Sequence, residues 1–104
     1  MEISTRPRSS ILYVKVRGQP PGFWGLTANR VIELATSGLP WHVVLLLGSA
    51  EYGYVISSGE IQRRTDGRVW TLSDDGDYKI NEGTDIESDY RFDSFEELMH
   101  RVFS

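Results

Sequence analysis

The chain contains no cysteine. Disulfides, thiolate catalysis, iron–sulfur clusters and Cys-type zinc sites are thereby excluded. Histidine is scarce as well: only His42 and His100 are present, and neither stands in an H-x-x-x-H, H-x-H or HExxH spacing. Long apolar runs are missing; the longest, Val43 to Leu47, is far too short to span a bilayer. No GxGxxG or GxxxxGK(S/T) phosphate loop occurs, and no G-x-S-x-G nucleophile elbow. Met1 to Arg6 lacks the charged-then-apolar pattern of a secretory signal, so the expected location is the cytoplasm, with no membrane contact. Nothing in the residue pattern asks for a cofactor or a metal.

What is present describes one small globule. The 104 residues are 39% hydrophobic and 25% charged. That is enough for one domain and too little for two independent cores. Residues 1–9 read as a flexible N-terminal arm and 10–104 as a single α+β domain. The net charge of −4 hides an asymmetry. Residues 1–50 carry five basic and two acidic groups, a balance of +3; residues 51–104 carry six and thirteen, a balance of −7.

Hydrophobic periodicity supplies the elements. Ser10 to Arg17 alternates, with Leu12, Val14 and Val16 on one side, as in a half-buried strand. Gly18-Gln19-Pro20-Pro21-Gly22 ends it. A first helix is expected over Ala28–Ser37, with Thr27 as N-cap, Leu26 and Val31 as a hydrophobic staple, and Gly38 and Pro40 as stops. Its apolar stripe is Ala28, Val31, Ile32 and Ala35. Trp41 to Leu47 is continuously apolar but for His42, which points to a central strand covered on both faces.

Ser58-Gly59, Asp66-Gly67 and Asp75-Gly76 read as three hairpin turns of an antiparallel meander. A three-residue loop at Asp74-Asp75-Gly76 sets Tyr78 opposite Leu72 and keeps apolar side chains on one face. Tyr90-Arg91-Phe92 is a last short strand or an extended lead-in. Ser94-Phe95-Glu96-Glu97 is a capping box opening a second helix, whose stripe is Phe95, Leu98, Met99 and Val102. The expected fold is an antiparallel five- to six-stranded meander sheet with two amphipathic helices on one face (β-α-β-β-β-β-β-α). A small open β-barrel with flanking helices is the alternative.

Function is less legible than architecture. The acids Asp74, Asp75, Asp77, Glu82, Asp85, Glu87 and Asp89 form an acidic segment suited to a basic protein partner, or simply a solvated loop. Phe23 and Trp24 either plug one end of the core or stand exposed as contact anchors. The leading expectation is a non-enzymatic interaction or regulatory module that uses these residues on a protein partner.

Two other readings stand beside it. The row Tyr54–Arg63–Trp70, with Arg64, Arg68 and the arm residues Arg6 and Arg8, suits nucleic-acid contact by stacking and charge. The net charge of −4 opposes strong phosphate binding. A metal-dependent hydrolase or nuclease would need Glu60, Ser73, Asp77 and Lys79 aligned on the polar sheet face. Val44, Leu46 and Val55, with Val69 nearby, form an apolar strip that a homodimer or the N-terminal arm would cover. For His42 the expected role is structural or pH-titrating; for His100 it is helix capping.

Overall fold

The computed structural model describes residues 10–103; residues 1–9, with Arg6 and Arg8, and Ser104 lie outside the described residues. The elements run β1 (Ile11–Arg17), β2 (Phe23–Thr27), α1 (Ala28–Thr36), β3 (Trp41–Leu47), β4 (Ser49–Ser57), α2 (Ser58–Asp66), β5 (Asp77–Asn81), β6 (Arg91–Phe92) and α3 (Phe95–Phe103). A 3-10 turn over Ser88–Tyr90 leads into β6. Among the described residues no helix is long and apolar enough to cross a membrane.

Among the described residues the strands form two sheets and no closed barrel. The larger has the order β1-β3-β4-β6; the smaller is a β2-β5 ribbon. β1 pairs with β3 in parallel, and all other strand pairs are antiparallel. The α+β class is as expected, but the single meander is not. The parallel β1–β3 pair arises because β2 and α1 intervene before the chain returns to the sheet.

β3 is central and buried on both faces, as its unbroken apolar run predicts. Its side chains alternate between two cores. Trp41, Val43, Leu45 and Leu47 enter the larger core with Trp24, Leu26, Val31, Leu34, Tyr54, Ile56, Ile61, Trp70, Ile80 and Ile86. Val44 enters the smaller, with Val55, Phe92, Leu98 and Val102. So α1, α2 and the β2-β5 ribbon cover one face of the main sheet while α3 covers the other. Three helices on two faces replace the expected two on one.

That arrangement changes the apolar strip. Val44 and Val55 lie under α3 and are at most 5% exposed, Leu46 is partly buried beside them, and Val69 stands exposed elsewhere. The strip therefore needs neither a second copy nor the N-terminal arm to cover it.

The main correction is α2. Ser58-Gly59 is a helix start rather than a hairpin turn, and Gly67 is the C-cap of that helix. Ser57 is the N-cap, and its Oγ accepts from the Glu60 backbone N–H at 3.4 Å. The S-x-x-E spacing Ser57…Glu60 is a capping-box signal in the sequence. Its message was masked because α2 has almost no apolar stripe: its buried residues are Ile61 and an arginine, Arg64. β2 (Phe23–Thr27) is likewise a strand that the expected β-α-β-β-β-β-β-α order does not contain.

Elsewhere the local reading stands except at β1, which forms as expected but leaves Val14 and Val16 of its apolar side exposed, because nothing among the described residues packs on its outer edge. α1 occupies Ala28–Thr36 with Thr27 at the N-cap position, though the Thr27 side chain makes no capping bond. The staple pair Leu26 and Val31 are both buried, but Leu34 rather than Ile32 completes the packed stripe, and Ile32 is exposed. Leu72 and Tyr78 bridge as the three-residue loop requires, with Ser73 N–H donating to Asp77 O at 2.9 Å. Ser94 Oγ accepts from Glu97 N–H at 3.0 Å and opens α3, while Phe95 stays exposed.

Candidate functional site

The most elaborate side-chain cluster is built around Arg64. α2 carries it inward so that it is only 6% exposed. Its guanidinium lies 5.3 Å from the Trp70 ring centroid and 5.1 Å from that of Tyr90. Nε donates to Glu60 Oε2 at 2.9 Å and Nη1 to the Asp85 carbonyl at 3.1 Å; Nη2 pairs with Glu87. Trp70 Nε1 donates to the same Asp85 carbonyl at 2.7 Å. A buried cation is tolerated only when its donors are satisfied, and Arg64 meets this with two carboxylates, one carbonyl and two ring faces.

The electrostatics follow. Burial alone would lower the Arg64 pKa, but the hydrogen bonds it donates to Glu87 and Glu60 outweigh it and hold the guanidinium charged. In turn the hydrogen bond from Arg64 is the main cause that pulls Glu60 and Glu87 below the usual glutamate value.

The expected row Tyr54–Arg63–Trp70 does not form. Helical phase turns Arg63 outward, its side chain 74% exposed beside Glu60, and puts Arg64 on Trp70. Tyr54 instead packs edge-on to Trp24 and donates its hydroxyl to Glu82 at 2.6 Å. Burial first, then the Glu82 bond and charge, push the Tyr54 phenol up. For the nucleic-acid reading this matters: Trp70, 2% exposed, and Arg64 are internal, leaving Arg63 and Arg68 on the surface among the described residues.

The acidic segment is sorted by its partners. Asp85 accepts from Asn81 N–H at 2.7 Å and from its side-chain amide at 3.0 Å, closing the turn after β5. Glu82 holds Tyr54, Glu87 holds Arg64, and Asp75 takes Lys79 at 2.6 Å, with Asp77 3.8 Å from the same ammonium. Lys79 lowers the Asp75 pKa and is raised by it. Asp74 and Asp89 remain exposed, without a side-chain ion pair among the described residues. Of the two aromatics, Trp24 plugs the core at 2% exposure and donates to Leu46 O at 3.0 Å, whereas Phe23 is 38% exposed.

The proposed metal row is absent as a row. Its alignment needed a hairpin at Ser58-Gly59; α2 instead turns Glu60 toward Arg63 and Arg64. Among the described residues no three His, Asp or Glu side chains converge in a way that could hold a metal ion. His42 is partly buried, with Nδ1 2.9 Å from Ser10 Oγ, and burial lowers its pKa. His100 sits in the last turn of α3.

Outside Arg64 the surface opens into a groove of about 510 Å³, lined by Glu60, Arg63, Arg64, Val69, Glu87, Asp89 and Tyr90. Carboxylates stand on its rim, and the exposed Val69 and the half-buried Tyr90 supply apolar wall. Glu87 and Asp89 are recognisable in the sequence as acids, but the groove is not, because its other wall comes from α2. We found no family model, curated protein or solved structure that matches this chain.

Proposed function

We propose that this domain is a non-enzymatic interaction module that receives a basic protein partner on the 74–89 segment. In this reading the groove beside Arg64 admits a cationic side chain of the partner. The carrying observation is the groove's rim: Asp89 has no ion pair of its own among the described residues and stands beside Glu87, Tyr90 and Val69. A carboxylate next to an apolar wall suits an arginine or lysine, whose aliphatic stem packs while its head pairs. Asp74, at the tip of the β5 turn, adds a second free charge that steers approach.

The exposed Arg63 and Arg68 keep the nucleic-acid reading as the competitor. Crosslinked capture from source cells separates the two, comparing the native chain with Asp74→Lys/Asp89→Lys and Arg63→Ala/Arg68→Ala. The expected result is a basic protein whose capture weakens with salt and is lost in the charge-reversed variant alone. A gel shift of single-stranded nucleic acid at low salt, lost in the arginine variant alone, overturns the proposal.

A further inference from the structure

β1 is the edge of the main sheet, and among the described residues no other strand lies on its outer side. Long, apolar, unpaired edges are uncommon because they template association. β1 has seven residues, with Ile11 36%, Val14 43% and Val16 69% exposed. Four consecutive residues, Ile11 to Val14, line a groove of about 310 Å³ with Arg30 and Leu34 of α1. Successive side chains point to opposite faces, so a groove touching all four runs along the strand's edge.

The backbone defines what fits there. Ile11 N–H donates to Pro40 O at 2.9 Å, and Arg17 O accepts from Gly48 N–H at 2.8 Å. Both ends of β1 thus turn the backbone groups of odd-numbered residues toward β3. These groups alternate along the strand, so the N–H and C=O of Leu12, Val14 and Val16 point outward.

We infer that β1 pairs antiparallel with β1 of a second copy, about a two-fold axis at Val14. This register sets Val14 opposite the partner's Val14 and Leu12 opposite the partner's Val16. Every outward residue then meets an outward residue, and each such pair exchanges two hydrogen bonds. The aliphatic side chains also meet one another on the α3 side of the sheet, which β1 shares with Val44.

Charge selects the same arrangement. The cations Lys15 and Arg17 lie in the C-terminal half of β1, and its N-terminal half is uncharged. An antiparallel two-fold lays the charged half against the neutral one: Lys15 meets the partner's Tyr13, and Arg17 the partner's Ile11. Moving the axis one step along, to Lys15, would set two lysines directly opposite, which is destabilising. The result is a closed, isologous pair that joins two four-stranded sheets and covers both β1 edges, with β6 at either end.

Sedimentation velocity on the full chain, from micromolar to millimolar concentration, tests this. The native chain is expected to dimerise. Val14→Lys and Val14→Glu alone should each weaken the dimer about tenfold or more, because like charges then face across the axis. Mixing the two should restore a heterodimer. Val16→Lys, at a more exposed position, should weaken it too; Phe95→Lys, at an exposed apolar residue just after β6 on the opposite edge of the sheet, should not. A native chain monomeric throughout, dimers indifferent to Val14→Lys and Val16→Lys, or a mixture that fails to pair would each overturn the inference.

Discussion

Arg64 shows how one residue's phase decides a surface. Read as part of a strand, it points to solvent; read as part of α2, it becomes the polar centre of the larger core's rim. Truncating it leaves Glu60, 14% exposed in its side chain, without its buried partner. Arg64→Met is therefore expected to lower stability by about 3 kcal/mol, measured as a shift in urea midpoint at constant slope. Arg64→Lys should recover little, since an ammonium cannot span Glu60, Glu87 and the Asp85 carbonyl at once. Arg63→Ala, on the exposed side of the same helix, should stay within about 0.5 kcal/mol.

Arg68 makes the converse point. It adopts φ 58° just after α2, where Val69 N–H and Trp70 N–H return to the Arg64 carbonyl. This left-handed conformation suits glycine and costs an L-residue about 1 kcal/mol. Arg68→Gly should raise stability by about that increment, read as a higher thermal midpoint.

At the scale of elements, caps distinguish the helices. Ser94 holds Glu97 N–H at 3.0 Å, while Ser57 reaches Glu60 N–H at 3.4 Å. Ser94→Ala is expected to cost about 1 kcal/mol and Ser57→Ala less, both read from denaturant unfolding. α3 has the greater consequence because Leu98 and Val102 seal Val44 and Val55. Between β3 and β4, Gly53 is required by close approach: a Cβ there would sit 2.0 Å from the Leu45 carbonyl oxygen. No side-chain rotation relieves a clash with backbone.

For the whole molecule, three titrations set the pH range of stability. His42 is partly buried and its pKa is lowered, so below 6.5 the unfolded chain takes up a proton that the folded one resists, and stability declines with falling pH. Glu60 and Glu87 are lowered by Arg64, so their contribution is full above 4.5 and is lost as pH falls through their folded values. Tyr54 is raised, so above 10.0 the unfolded chain ionises first and stability falls as pH rises. Chemical denaturation across pH should show a plateau with these three shoulders. Arg64→Met should flatten the lowest, and Tyr54→Phe the highest.

Local chemistry alone determined a good share of this protein. The α+β class, β1, α1, the buried β3, the Asp74-Asp75-Gly76 loop register and α3 follow from periodicity, caps and turn residues, all of which act within a few positions. Glu87 and Asp89 were legible as acids. Only tertiary structure decided that α2 is a helix, because beside Ile61 its inward face carries an arginine that needs Trp70, Tyr90, Glu60 and Glu87 to be buried at all. It also decided which acids are engaged internally and which are free, and that β1 pairs with β3 in parallel at an exposed edge. Such outcomes depend on residues distant along the chain, whose mutual satisfaction no local pattern records.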